Sequence, residues 1–357
     1  MKMSKRAKLG IVSAATAAMV GMAALPAAQA APQSRKAANI TTGKGIPAAF
    51  DPSTGLAAQP ATSGKTWTDS IYVNSEVKAG GHDFGIHVIT LRQPNVDQYS
   101  LSVVVTDETS GWYKRYGVPI AKNDYHWSTT GLDIKMPGLT WKGNAQRMSL
   151  QATTPWGGLD IKLVPKGPAL NYAGTGSWSM LGDTQYEFAL PSMRTSGTLT
   201  LNGKTQKISG ESWLDRQWGE TPVDDPTMRW TWMSVRLPNN DTLALWDTVN
   251  SKSENSWATV LHPDGSYDLA AVKPLADGVD RTWTSAKTGK TYATGWHVEI
   301  PSLKTRLTVR VNGPEDQEAA DKAGNGVYEA PAVYTGVYEG KKVTGTNYTE
   351  QVGDWRR

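Results

Sequence analysis

The 357-residue chain contains no cysteine. That excludes disulfide staples, thiolate metal sites and thiol nucleophiles, so stability has to come from burial in a core of adequate size. Histidine is scarce as well. The five, at positions 82, 87, 126, 262 and 297, are scattered, and none forms a His-x-x-x-His or similar spacing, so no metal site is expected. Phenylalanine occurs only 3 times, against 15 Trp and 13 Tyr. Rings with a polar handle suit a wet cavity, an interface or a flat apolar ligand, and they also serve as large filler in a β-protein core. Net charge is lacking too. The formal +4 is matched by Lys2, Lys5, Arg6 and Lys8, so the chain beyond that cluster is close to neutral. This gives no reason to expect nucleic acid or an anionic membrane surface as a partner.

One stretch is long and apolar. Leu9–Ala24 follows the basic cluster and precedes Ala28-Gln29-Ala30, the layout of a secretory signal peptide cleaved after Ala30. The run is short for a bilayer span of about 20 residues, so a stable membrane span is not expected. Residues 31–65 are rich in Ala, Pro, Gly, Ser, Thr and Lys without periodicity, and read as a flexible leader. The remainder exceeds what one small core organises and divides into domains at 66–222 and 223–357.

Strand signals dominate that remainder. Ser100–Thr106, Met148–Thr154, Leu159–Leu163, Thr198–Leu201, Met233–Leu237, Thr242–Trp246, Trp257–His262 and Arg306–Val311 alternate or are β-branched and apolar. Turns rich in Asn, Gly and Pro, such as Asn202-Gly203, separate them. One short helix is predicted over Pro314–Ala323, from Pro and acids in its first turn, Lys322 in its last and Gly324 beyond. The fold class is therefore all-β.

The two halves echo one another. Gly131–Leu139 aligns with Gly295–Leu303, Lys207–Asp215 with Lys342–Glu350, and, more weakly, Pro94–Asp97 with Pro238–Asp241. Three matches in one order suggest an internal repeat. A sheet of about eight strands in each half would remove its edges by closing into an antiparallel barrel wide enough for a small ligand.

At the centre lies Gly210-Glu-Ser-Trp-Leu-Asp-Arg-Gln-Trp-Gly219. As a strand it places Trp213, Asp215 and Gln217 on one face and Leu214, Arg216 and Trp218 on the other. Glu350 stands where Asp215 does in the second repeat, whereas Arg216 and Trp218 have no echo there. The first half of the stretch therefore reads as the closure of a barrel. The second half reads as peculiar to the junction, and any chemistry is expected in it.

The run from Ile208 to Gly219 and the terminal Val343–Glu350 resemble the superfamily of AttH-like proteins, carotenoid 1,2-hydratases, kievitone-type hydratases and fungal decalin-forming Diels–Alderases. The resemblance covers roughly residues 66–350, and Trp-x-Asp-x-x-Trp is its specific motif. It implies two tandem lipocalin-like barrels and a hydrophobic, often polyene, substrate at or between them, with no metal or organic cofactor. In the hydratases a His and the second Trp of this motif, with a later Tyr-x-Asp pair, are implicated in protonating a double bond. Those positions carry Arg216, Trp218 and, near Leu245-Trp246-Asp247, a Leu in place of Tyr. Arginine stays charged and relays no proton near neutral pH, though it can polarise a carbonyl or hold a carboxylate.

The candidate catalytic residues are thus Asp215, Arg216 and Asp247, with Trp213, Trp218, Trp230, Trp232 and Trp246 as ligand-binding candidates. Asp215 is equally explained as the partner of a barrel-closing arginine, Asp247 as a strand-end turn acid and the tryptophans as core filler. His87 reads as a core histidine, and Ser212 lacks the nucleophile elbow of a serine hydrolase. The leading function is an exported protein that binds a hydrophobic small molecule and acts on it as a hydratase or cyclase. The alternatives are a non-catalytic carrier or envelope-associated binding protein, and a carbohydrate binder whose tryptophan side chains face the outer surface.

Overall fold

The computed structural model describes residues 49–62, 67–220, 225, 227–320 and 326–355. The expected signal segment at 1–30 lies outside the described residues. Strands make up most of the rest. The first set is β1 (Trp67–Ala79), β2 (His82–Gln93), β3 (Gln98–Asp107), β4 (Trp112–Pro119), β5 (His126–Trp127), β6 (Leu132–Met136), β7 (Leu139–Asn144), β8 (Arg147–Thr154), β9 (Gly157–Pro165), β10 (Leu170–Asn171), β11 (Ser177–Met180), β12 (Asp183–Leu201) and β13 (Lys204–Glu220). The second is β14 (Arg229–Arg236), β15 (Thr242–Val249), β16 (Glu254–Leu261), β17 (Tyr267–Ala271), β18 (Val279–Thr284), β19 (Thr291–Ile300), β20 (Thr305–Val311), β21 (Glu318–Ala320), β22 (Gly326–Tyr338) and β23 (Lys341–Val352).

Two antiparallel sheets result. The first runs β4-β3-β2-β1-β13-β12-β9-β8-β7-β6-β5, with β10 and β11 attached to β12. The second runs β17-β16-β15-β14-β23-β22-β20-β19-β18, with β21 attached to β22. Each curls into a half-barrel, giving the tandem lipocalin-like architecture. Ile71, Val88, Trp141, Leu163 and Leu214 are among the residues filling the first, and Met233, Val260, Trp296 and Val309 among those filling the second.

The repeat is visible in the strand order, where β1–β4 correspond to β14–β17 and the β12–β13 hairpin to the β22–β23 hairpin. The echo of Lys207–Asp215 in Lys342–Glu350 falls on these equivalent strands, β13 and β23. The other two do not. Gly131–Leu139 covers β6 and its turn, four strands from β12, whereas Gly295–Leu303 covers the end of β19, two strands from β22. Pro94–Asp97 joins β2 to β3, but Pro238–Asp241 joins β14 to β15. These two echoes reflect shared turn chemistry. Each pairs a proline with a left-handed residue after it: Asp97 (φ 52°) and Asn240 (φ 66°) in one echo, Gly138 (φ 83°) and, one residue beyond the match, Lys304 (φ 47°) in the other.

Two other expectations are corrected. Residues 314–320 form no helix. Buried Gln317 donates to the carbonyls of Asn312 and Pro314 (3.0 and 2.8 Å) and accepts from Thr106 Oγ1 (2.6 Å), while Glu318 accepts from Tyr292 and Thr288 (2.8 and 2.7 Å). Bonds to distant elements override the local cap signals. Residues 49–62, expected within the flexible leader, pack on the first barrel. Leu56 is buried in its core, and Phe50 meets the Trp218 ring edge-on at 4.9 Å.

The two barrels do not present solvated outer faces to each other. The outward face of β1, β2, β12 and β13 is buried against the outward face of β14, β15, β22 and β23, joined by an aromatic cluster that includes Tyr72, Trp213, Trp232, Trp246 and Tyr348. Both faces of β1 are therefore covered, and its first nine residues are all buried with no alternation. A Cβ on Gly85 would fall 2.7 Å from the Pro331 ring, so only glycine permits that approach. The turn at Tyr172–Gly174 reaches across too, where Ala173 N–H donates to Thr259 Oγ1 (3.0 Å).

Inside the first barrel lies an ionic cluster. Arg216, wholly buried, pairs with buried Asp69 at 2.5 Å and donates to the carbonyls of Ser70 (2.9 Å) and Ala57 (2.7 Å). Its guanidinium sits 4.4 Å from the Trp127 ring and 4.9 Å from Trp218, and Arg92 adds a second partner to Asp69. Removing the guanidinium leaves Asp69 with Arg92 as its one remaining cation and takes a donor from the buried Ser70 and Ala57 carbonyls, in a low-dielectric interior. Arg216→Met is therefore expected to destabilise the protein by about 3–5 kcal/mol in denaturant unfolding, whereas an unchanged midpoint would show the pair to be dispensable.

Candidate functional site

The faces expected from alternation are the ones observed, and they cut across the expected division into a barrel-closing first half and a junction-specific second half. Leu214, Arg216 and Trp218 point into the first barrel, and Trp213, Asp215 and Gln217 point between the barrels. Arg216 and Trp218, the favoured junction residues, are therefore interior. Trp218 is spent on Phe50, Tyr186 and Phe188, and the donors of Arg216 are directed at Asp69 and backbone carbonyls. The acid beside the arginine in space is Asp69, not Asp215.

Asp215 sits in a small pocket of about 20 Å³ between the barrels, room for a water-sized group. Glu187, Asp215 and Glu350 supply its carboxyl groups, Tyr72, Trp232 and Trp246 its rings, and Ser70 and Gln217 the remainder. Sheet register explains the convergence. On β13 Asp215 lies opposite Tyr72 of β1, and on β23 Glu350 lies opposite Trp232 of β14, which in turn faces Trp246 of β15. Glu187 enters from β12, opposite Gln217.

Donors are directed at the carboxyl groups. Tyr172 O–H donates to Asp215 Oδ1 and Trp213 Nε1–H to Oδ2, both at 2.8 Å. Trp232 Nε1–H donates to the Tyr172 oxygen (2.9 Å), and Trp230 Nε1–H to Glu350 Oε1 (2.8 Å). Burial pushes the Asp215 carboxyl up to about 7. The charge of Glu350 acts in the same direction, against the hydrogen bonds from Trp213 and Tyr172. Burial also holds Glu187 well above the ordinary carboxylate range, helped by the charges of Asp215 and Glu350 and opposed by the indoles of Trp178 and Trp246. Two acids in one pocket with different hydrogen-bond support are suited to opposite roles in proton transfer.

Trp213, Trp230, Trp232 and Trp246 all lie in this layer, and with Trp218 none is more than 5% exposed. That removes the outward-facing aromatics a carbohydrate binder would need from these positions. Asp247 faces away from the pocket, as the residue after Trp246 must in a strand. Its carboxylate accepts from Ser256 Oγ (2.7 Å) and Leu275 N–H (2.6 Å), beside a separate recess at Leu275 and Trp296.

Several members of the layer are not among the residues expected from sequence. Glu187 is an acid within the otherwise apolar Tyr186–Leu190, a signal that was available. Tyr172 lies on an irregular turn and carries none. His87 is fully buried, with Nδ1 3.0 Å from Tyr348 O–H and 3.2 Å from Glu329. Burial, and then the Arg115 charge, lower its pKa to about 3, so it is neutral and reads as a structural group behind Tyr72.

The AttH-like family model matches residues 68–354. Kievitone hydratase from Fusarium solani subsp. phaseoli is 26% identical over 201 residues, 54% of this chain and 56% of that protein. Dehydratase asqC from Emericella nidulans is 24% identical over 221 residues, 58% of this chain and 62% of that protein. The matches thus span less than two thirds of either relative. A crystal structure assigned as AttH from Nitrosomonas europaea superposes with a TM-score of 0.70 at 19% identity, covering 85% of this chain and 97% of that one.

The raised carboxyl of Asp215 has a consequence for stability. A folded-state value of about 7 lies above the unfolded value, so this group's contribution is fully present below the unfolded value and is lost as pH rises towards 7. Asp215→Asn is expected to flatten the decline in stability over that window, measured by urea unfolding at a series of pH values. An identical pH profile in the variant would contradict the assignment.

Proposed function

The chain belongs to the AttH-like family, and from that premise we propose that the carboxyl groups at the barrel junction add water to, or remove it from, a carbon–carbon double bond of an apolar small molecule, the water occupying the pocket of about 20 Å³ and the aromatic layer parting to admit the substrate. The observation that carries this reading is the pairing of Glu187 and Asp215 in one aromatic-lined pocket, with burial favouring a proton on Glu187 and two donors supporting a carboxylate at Asp215. Relatives with the names hydratase and dehydratase support the direction of the chemistry.

In hydration, the Glu187 carboxylic acid gives its proton to one alkene carbon. Water bonds through oxygen to the other carbon and passes a proton to Asp215, and return of that proton to Glu187 restores the site. The atoms of one water are added and none is left over. Dehydration is the same path reversed. Tyr72, Trp232 and Trp246 line the pocket, where their electron-rich rings would stabilise the positive charge that develops on carbon. Arg216 has no place in this scheme, so the arginine at the family's histidine position is compatible with it. The chain is further proposed to be exported through cleavage after Ala30.

The test is incubation of the purified protein lacking residues 1–30 with a panel of prenylated and polyene alkenes in ¹⁸O-labelled water. One labelled oxygen and two hydrogens are expected in the product. Asp215→Asn and Glu187→Gln are each expected to lower kcat by about 100-fold or more, as loss of a general acid or base does. Binding of panel members without any conversion would favour the carrier reading instead.

A further inference from the structure

An apolar molecule cannot reach the junction carboxyl groups while the aromatic layer is packed. The pocket beside them holds about 20 Å³, and the rings of Tyr72, Trp232 and Trp246 on its walls are buried. Entry therefore requires part of the layer to move. Strands β1, β12, β13, β14 and β23 are paired on both sides and are poorly placed to do so. The turn at residues 172–176 is different. It joins β10 to β11, two short strands that lie off the main path of the first sheet and pair with β12 alone.

Both ends of this turn are tied to β12. Asn171 lies opposite Phe188, and the Gly176 carbonyl accepts from Glu187 N–H (2.7 Å). Between them the turn closes on itself, Gly176 N–H donating to the Tyr172 carbonyl (2.7 Å). Ala173, Gly174 and Gly176 are left-handed, at φ 51°, 81° and 81°. For alanine that conformation is strained and persists only where its surroundings impose it. The second barrel imposes it here. Ala173 N–H donates to Thr259 Oγ1 on β16 (3.0 Å), and the Tyr267 ring on β17 packs against Gly174, where a Cβ would fall 2.2 Å from it. The inward end of the turn is Tyr172. Its side chain is wholly buried, with its O–H on Asp215 Oδ1 (2.8 Å) and its oxygen accepting from Trp232 Nε1–H (2.9 Å).

We propose that the turn at residues 172–176 is a gate to the junction. Release of its contacts with β16 and β17 lets it swing outward about its two ties to β12, which withdraws Tyr172 from the layer and opens a passage to Asp215. The inference rests on placing the reaction between the barrels, and it specifies how that site is reached. Tyr172 is among the largest fully buried side chains of the protein. Its withdrawal vacates the volume of one aromatic ring next to the water-sized pocket, enough for the reacting alkene unit. From outside, the turn is held by one neutral hydrogen bond and one ring contact. A segment held so lightly opens locally far more often than the sheet beneath it unfolds.

The experiment is hydrogen exchange followed by NMR on the protein lacking residues 1–30. The Nε1–H groups of Trp213 and Trp232 bond to Asp215 and Tyr172 and lose their shelter when Tyr172 withdraws, whereas the backbone amides of β1 and β13 exchange only when the sheet unfolds. The two indoles are expected to exchange about tenfold or more faster than the most protected of those amides. A lock then tests what the motion does. The chain contains no cysteine, so Ala173→Cys with Thr259→Cys introduces a single pair at the contact between the turn and β16. Oxidation of the pair should bring indole exchange down to the rate of the amides and lower conversion of the alkene panel by about tenfold or more, and dithiothreitol should reverse both.

Indoles that exchange no faster than the most protected amides in the unsubstituted protein would overturn the proposal. So would indole exchange that the lock does not slow, or conversion that it does not diminish. The exchange readout needs no turnover. Failure of the alkene panel alongside lock-sensitive exchange removes the proposed reaction and leaves the gate, and turnover untouched by the lock does the reverse.

Discussion

Burial of both faces of the strands at the barrel junction is the constraint on which the rest depends. A lone curled sheet can keep a polar outer face in water. Here the outer face of β1, β2, β12 and β13 is covered by its counterpart in the second barrel, so the polar groups on it are desolvated. Such groups must find partners, change protonation or bind something. The indole and phenol donors around Asp215 and Glu350 meet the first requirement, and the raised carboxyl of Glu187 the second. The abundance of Trp and Tyr over Phe fits this demand, because each ring that fills space between the barrels can also donate a hydrogen bond.

The same constraint separates two kinds of charge that are neighbours in sequence. Arg216 and Asp69 are paired inside the first barrel, where the pair and its carbonyl acceptors hold residues 57–59 against β1 and β13. Asp215, one residue away, has no cation beside it and is surrounded by donors that are neutral. A strand's two-residue period thus divides a structural ion pair from a group poised for proton transfer.

Much of this was legible in the sequence, and what was not has identifiable reasons. The strands, the Asn202-Gly203 hairpin and the split of Trp213, Asp215 and Gln217 from Leu214, Arg216 and Trp218 followed from period-two patterning. Which face was interior did not. Patterning marks the buried side only when the other side is wet, and here neither is. Comparison of the repeats also misled, because Glu350 matching Asp215 suggested a shared closing role. The match exists because both acids face the junction from opposite barrels. Tyr172 could not have been foreseen from its turn, and Gln317 and Glu318 were drawn from a helical pattern by partners distant in sequence, Thr106 and Tyr292.

The central claim is that the junction, rather than either barrel interior, holds carboxyl groups as acids near neutral pH. Infrared spectroscopy of protein labelled with ¹³C-Glu or ¹³C-Asp tests this most directly, through the carbonyl stretch of protonated carboxylic acids. A band that persists at neutral pH, shifts with the Glu label and diminishes in Glu187→Gln is the predicted result. A neutral-pH spectrum showing only ionised carboxylates would contradict the account.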